Sequence, residues 1–162
     1  MTLKPNSTSL AMIALAGLLA DQASKWAILM LLRDADPAFI TVLPFMDFVL
    51  VWNSGISYGL MADHSQLVRG GLIALSLLII GFLLHLQRRE PQPWLRIGYA
   101  LIIGGALGNV LDRVVHGAVV DFISLYGFGY SWYVFNLADV WITLGGALVV
   151  WFSLKGDETK QG

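Results

Sequence analysis

The segment 72–84 carries one polar side chain, Ser76, and no charge. Extended to 67–86, it reaches the roughly 20 residues that a helix rising 1.5 Å per residue needs to cross the ~30 Å hydrocarbon core of a bilayer. Three further segments have the same character, at 10–32, 94–115 and 133–154. Composition agrees: 57% of the 162 residues are apolar and 13% are charged, against about 25% charged in soluble domains. The expected fold class is therefore an all-α integral membrane protein with four transmembrane helices, in one membrane domain spanning 1–162.

Each span has an identifiable boundary. Lys4 ahead of an apolar core, with Ala20 as a mimic of a cleavage site, raises the reading of a removable leader. The apolar character resumes at Trp26 and runs to Leu32, longer than the ~7 to 15 residues of a leader's apolar core, so a retained helix is expected. Gln87-Arg88-Arg89-Glu90-Pro91-Gln92-Pro93 separates spans two and three with two prolines that cannot continue a helix. Between spans one and two, Phe48-Val49-Leu50-Val51-Trp52 is β-branched and aromatic and is bounded by Asp47 and by Asn53-Ser54-Gly55, so short strands are expected within 36–60. The connection 117–132, with Gly117, Gly127 and Gly129, reads as irregular.

Basic residues set the orientation. Lys4, Arg88, Arg89, Arg96, Lys155 and Lys160 fall on one side of the four spans, and Arg33, Arg69 and Arg113 on the other. By the positive-inside rule both termini are cytoplasmic and the two long connections face outward. The net charge of −1 offers no cationic field for nucleic acid, and the absence of cysteine excludes disulfides, thiolate metal sites and thiol nucleophiles.

Ionisable groups inside spans are expensive, at least ~2.5 to 3.5 kcal/mol near the bilayer centre, and are functional suspects. Asp21 and Lys25 stand at i and i+4 with the acid N-terminal, the better order for pairing; an ion pair that only lets the helix pack is the plain alternative. Gly104 and Gly108 form a small-xxx-small face for close helix approach. Asn109 and Arg113 follow at i and i+4 beside Asp112, and Arg113 snorkelling to the interface next to Asp112 is the alternative there. In span four, Asn136, Asp139, Thr143 and Gly146 draw one polar and small stripe that should face protein. With the span starting near Tyr133, Asp139 lies about six residues in, roughly 9 Å deep, and needs a partner or loses its charge.

The candidate partner is Asp121, in Val119-Val120-Asp121-Phe122-Ile123. Spans three and four are antiparallel neighbours, so Asp112, Arg113, Asp121, Asn136 and Asp139 should converge near the outer leaflet. Two adjacent carboxylates share a proton, leaving one acid and one base, the equipment for adding water to an amide. A purely structural or ion-translocating use of the same acids stays open.

Other motifs carry less. Gly55-Ile56-Ser57-Tyr58-Gly59 fits G-x-S-x-G, but this short apolar chain cannot build the α/β sheet which that elbow requires. Ser24 and Lys25 are adjacent and so point in different directions on a helix. His64, His85 and His116 lack ligand spacing, so no metal site is expected. Trp94, Trp132, Tyr133 and Trp151 read as interfacial anchors.

Taken in order, Asp21-Gln22-Ala23-Ser24-Lys25, Asn53-Ser54-Gly55, Gly104-Gly105-Ala106-Leu107-Gly108-Asn109-Val110-Leu111-Asp112-Arg113, Val119-Val120-Asp121-Phe122-Ile123 and Phe135-Asn136-Leu137-Ala138-Asp139 resemble the motifs of lipoprotein signal peptidase (signal peptidase II), the bacterial inner-membrane aspartyl peptidase family. The resemblance implies four helices with an extracytoplasmic β-cradle and a mobile periplasmic helix, and cleavage of prolipoproteins just before a diacylglyceryl-modified cysteine. It implies Asp121 and Asp139 as the catalytic pair, with Asp21, Lys25, Asn53, Gly55, Asn109, Asp112, Arg113 and Asn136 lining or supporting the site. It further implies no metal or organic cofactor, diacylglyceryl-prolipoprotein substrates, contact with membrane lipids, a monomer, and inhibition by globomycin-type cyclic peptides. Ile56-Ser57-Tyr58 departs from the family's more usual Ala-Ala-Phe. Two other functions fit parts of the pattern: a proton-coupled carrier relaying through Asp21, Lys25, Arg113 and Asp139, and a non-catalytic assembly subunit packed through its glycine face.

Overall fold

The computed structural model describes residues 5–32, 39–55 and 65–158. Its elements run α1 (Ser7–Leu32), β1 (Phe39–Leu43), β2 (Met46–Asn53), α2 (Ser65–Arg89), α3 (Pro93–Val115), β3 (Val119–Gly127), β4 (Tyr130–Ser131) and α4 (Leu137–Glu158). Four of these are long and apolar enough to cross a membrane: Ser7–Leu32, Gln66–Arg89, Pro93–Val115 and Leu137–Lys155. The molecule is a multi-pass membrane protein carrying a small antiparallel sheet.

Helix starts follow local caps. The Asn6 side chain accepts from Ser9 N at 2.7 Å, which begins α1 at Ser7, ahead of the apolar run. Gln92 accepts from Trp94 N at 2.7 Å with Pro93 in the first turn, fixing the start of α3. The start of α4 corrects the sequence reading. The helix begins at Leu137, not near Tyr133, because Phe135 is still engaged with β3 and Asn136 is the cap. Asp139 therefore stands in the first turn rather than six residues deep.

α3 is the centre of the bundle, packed on by α1, α2 and α4, while α1 and α2 barely meet. Missing side chains allow the close approaches. A Cβ on Gly104 would stand 2.5 Å from the Ala14 carbonyl oxygen, and one on Gly105 would collide with the Ala138 carbonyl oxygen. Gly98 and Gly145 approach each other's turns in the same way, a second small-residue face that Gly104 and Gly108 did not announce. α2 is the most apolar span and the least buried; among the described residues it packs mainly on α3.

The sheet has the order β1-β2-β3-β4, all antiparallel. The segment 117–132, expected to be irregular, instead supplies the strand β3, because Val119 through Tyr126 is β-branched and aromatic on both faces. Its glycines serve the ends. Phe128 and Gly129 take φ of 52° and 81° in a two-residue hairpin turn, where both central positions need positive φ. One face of the sheet packs on the end of α1 through Phe122, Ile28 and Leu32, with Phe48 edge-on to Phe122 at 5.8 Å.

Candidate active site

The return of the chain after β4 builds the site. Phe122 N and Ile123 N donate to the Phe135 carbonyl oxygen at 3.0 and 2.8 Å, and Phe135 N donates to the Ile123 oxygen at 3.1 Å. This pairing lays 132–135 along the free edge of β3 and delivers Asn136 beside Asp121. α4 then starts with a reciprocal cap: Asp139 N donates to Asn136 Oδ1 at 3.1 Å, and Asn136 N donates to Asp139 Oδ2 at 3.2 Å. The side chain of Asp139 is thus aimed by the geometry of the helix start.

Amides connect the two acids. Asn136 Nδ2 donates to Asp121 Oδ1 at 2.6 Å and to Asn109 Oδ1 at 3.2 Å. Asn53 Nδ2 donates to Asp121 Oδ2 at 2.9 Å, and Asn109 Nδ2 donates to Asp139 Oδ1 at 2.9 Å. Asn53 reaches Asp121 because a register shift in β2 sets Asn53 opposite Val119, one same-face position from Asp121. Each of the four carboxylate oxygens accepts one N–H, and among the described residues no basic group makes an ion pair with either acid. Burial pushes the Asp121 carboxyl above the usual carboxylate range; Asn53 and Asn136 pull against that, and the Asp139 charge adds to the rise.

A second polar layer lies directly behind. Lys25 Nζ stands 2.8 Å from Asp21 Oδ2 and 2.8 Å from Asp112 Oδ2. Gln22 Nε2 bridges the same two acids at 3.2 and 2.9 Å, Ala138 N donates to the other Asp21 oxygen, Oδ1, at 2.8 Å, and Val120 N donates to Asp112 Oδ2, the oxygen beside Lys25, at 3.1 Å. The third donor of Lys25 reaches Asn109 Oδ1 at 3.1 Å, joining the layers. The cation of Asp112 is therefore Lys25 and not its neighbour Arg113, as adjacent residues on a helix diverge. Arg113 instead donates to the Asn109 carbonyl oxygen at 3.1 Å, and its buried Nε has no acceptor among the described residues. Gln22, a polar residue inside an apolar span, is a partner the sequence reading passed over.

Asp121 and Asp139 line one cavity of about 530 Å³, together with Asn53. The rest of the wall is largely apolar: Leu125, Trp132, Tyr133, Val134, Phe135, Val140, Thr143 and Leu144. Trp132 and Tyr133, expected as interfacial anchors, are largely exposed and also line the cavity. The expected protein-facing stripe on α4 is corrected in part. Thr143 is exposed on the cavity, a Cβ on Gly146 would meet nothing within 4 Å, and Gly145 is the glycine that packs. Asn136 and Asp139 do face protein, both hydrogen-bonded to Asn109 of α3, whereas the Thr143 and Gly146 half turns toward open space because α3 meets α4 there on the neighbouring face.

Gly55 follows Asn53 at the end of β2. Its N donates to Asn53 Oδ1 at 2.8 Å, its φ of 79° suits glycine, and a Cβ there would stand 3.9 Å from the Arg113 guanidinium and collide with Leu72. Ile56-Ser57-Tyr58 and His64 lie outside the described residues. Ser24 Oγ donates to the Asp21 carbonyl oxygen at 2.7 Å, so it does not pair with Lys25. Among the described residues no three His, Asp or Glu side chains are grouped to hold a metal ion.

Comparison with known proteins decides the family. A model of signal peptidase (SPase) II matches residues 13–155. The chain belongs to this family. Lipoprotein signal peptidases similar to it include that of Methylobacterium sp. strain 4-46, 41% identical over 91% of this chain and 92% of the relative. Those of Aeromonas hydrophila and Nitrobacter hamburgensis are 39% and 45% identical, covering 92% and 82% of this chain and 90% and 83% of theirs. Two structures of bacterial membrane enzymes determined in meso are 28% identical to it with a TM-score of 0.82, covering 99% and 96% of this chain and 96% and 98% of theirs.

Proposed function

We propose that this protein is an intramembrane aspartyl endopeptidase that removes the signal peptide from prolipoproteins, cutting just before the diacylglyceryl-modified cysteine, with Asp121 and Asp139 as its catalytic pair. The observation that carries this reading is that both carboxylates are bound by Asn136 and open onto one largely apolar cavity. Asp139 stands in the first turn of α4, where the helix N-terminus favours negative charge, and it takes the proton from water as the oxygen adds to the carbonyl carbon. Asp121, whose carboxyl is pushed up by burial, holds the shared proton and passes it to the carbonyl oxygen. On collapse, Asp139 gives its proton to the departing amine, the C–N bond breaks, and Asp121 recovers a proton from the diol.

Asn109 and Asn136 hold the acids in register, Asn53 steadies Asp121, and Lys25, Asp21 and Asp112 support Asn109 from behind. Arg113 and Gly55 border the place where the substrate backbone would lie. The acyl chains remain in the outer half of the bilayer, water arrives from the periplasm, and no metal or organic cofactor takes part. The protein acts as a monomer in the bacterial inner membrane, with both termini cytoplasmic and the sheet outside, following the Lys and Arg asymmetry.

The deciding experiment is incubation of purified protein in detergent with a diacylglyceryl-modified prolipoprotein and its unmodified counterpart. Only the modified chain should be cut, with the new N-terminus at the lipid-bearing cysteine. Equal cleavage of both, or a cut elsewhere, would overturn the proposed specificity. Reporter fusions at Pro91 and Gly127 should report cytoplasm and periplasm; the opposite result would reverse the orientation.

A further inference from the structure

At the end of the bundle opposite the sheet lies a second cavity, of about 210 Å³, between α1, α2 and α3. It exists because α1 and α2 both pack on α3 without closing on each other. Its wall grades from polar to apolar: Ser7, Gln87, Arg88 and Arg96 come from helix ends, whereas Leu10 and Ile103 lie one to three turns further into the spans. Gln87 is only 9% exposed, and its amide is spent on the Arg96 carbonyl oxygen at 2.9 Å. Arg96 donates to the Pro5 carbonyl oxygen at 2.8 Å, while its Nε is buried without an acceptor among the described residues. Arg88 makes no ion pair among them. Glu90, the acid nearest in the chain, accepts from Gln92 N at 2.9 Å.

Two guanidiniums with donors to spare, at the mouth of a groove with an apolar floor, suit an anion attached to hydrocarbon. We propose that this cavity is a binding site for an anionic phospholipid, with the headgroup phosphodiester at Arg88 and Arg96 and the upper acyl chain against Leu10 and Ile103. The match is one of charge and of polarity gradient: a zwitterionic lipid would carry its own cation into a site that already holds two. The site lies at the other end of the helices from the acids and does not rest on the catalytic reading.

The test reconstitutes the full chain in nanodiscs of phosphatidylcholine doped with phosphatidylglycerol and measures the lipid retained by native mass spectrometry. Phosphatidylglycerol should be retained preferentially, and Arg88→Gln and Arg96→Gln should each lower that preference about fivefold, the fold-change matching ~1 kcal/mol per basic residue. Among the described residues the Arg88 side chain makes no hydrogen bond, so its variant stays informative even where Arg96→Gln disturbs the Pro5 contact. Arg89→Gln removes a charge next door that does not line the cavity, and it should change the preference less than about twofold. Equal losses for Arg88→Gln and Arg89→Gln would show diffuse attraction and overturn the site, as would retention of both lipids alike. Displacement of the lipid by inorganic phosphate, beyond that caused by chloride of matched ionic strength, would reassign the cavity to a free anion and also overturn the proposal.

Discussion

Two acid pairs lie side by side in this molecule and are treated in opposite ways. Asp21 and Asp112 share a lysine, a glutamine bridge and one backbone N–H each, and with Lys25 they are 0, 1 and 2% exposed. Among the described residues Asp121 and Asp139 receive amide donors and no ion pair, and they open onto a cavity. A charge taken out of water is tolerable when its counter-charge and lone pairs are all satisfied, and it is then inert. The second pair keeps capacity in reserve, and reserve capacity beside a cavity is what a hydrolytic step uses. Asn109 is the hinge between them, accepting from Lys25 and donating to Asp139.

Exchanging the roles of the layers gives the largest expected effect. Asp121→Asn and Asp139→Asn should each lower the cleavage rate by about 10³-fold or more, because an amide cannot shuttle the proton, while thermal stability in detergent stays near that of the wild type. A wild-type rate in either variant would end the paired-aspartate mechanism with the family assignment intact. Lys25→Met should do the converse. It leaves two buried carboxylates without a cation and should cost ~3 to 5 kcal/mol of stability in a denaturant titration, so that the loss of folded protein precedes any loss of turnover per folded molecule.

Breaking the link between the layers should be milder. Asn109→Ala removes a donor to Asp139 and an acceptor for Lys25, about 1 to 3 kcal/mol, and should appear in kcat more than in KM. A change confined to stability would make Asn109 part of the scaffold only. The smallest effect sharpens the comparison through pH. Burial favours the protonated form of Asp121, so the shared proton is present below its raised pKa and activity falls as pH rises through it. The Asn53 hydrogen bond opposes that rise, so Asn53→Ala should carry the alkaline limb of the pH–rate profile to higher pH. A limb that stays in place, or moves down, would detach the proton from Asp121.

What could be read without the structure was whatever a local period or a short-range contact encodes. Apolar length marked the four helices. Prolines and Gln92 marked the start of α3, and the i, i+4 spacing of Asp21 and Lys25 anticipated their contact. Local pattern failed where a residue's neighbour is distant in the chain. The segment 117–132 looked irregular because its glycines are visible locally and its pairing with β2 is not. Asp112 has Arg113 as its neighbour in the chain, whereas the cation that reaches it is Lys25, from another helix.

Sequence by itself determined that the chain must cross a membrane and that its acids are too costly to be incidental, because transfer free energies belong to residues and runs of residues. Only the tertiary structure decided which acids share a cation and which are held by amides beside a cavity. That difference depends on where β3, the returning segment before α4 and the close glycine contacts of α3 place each oxygen, and a carboxylate's state is set by the few ångströms around it rather than by its neighbours along the chain.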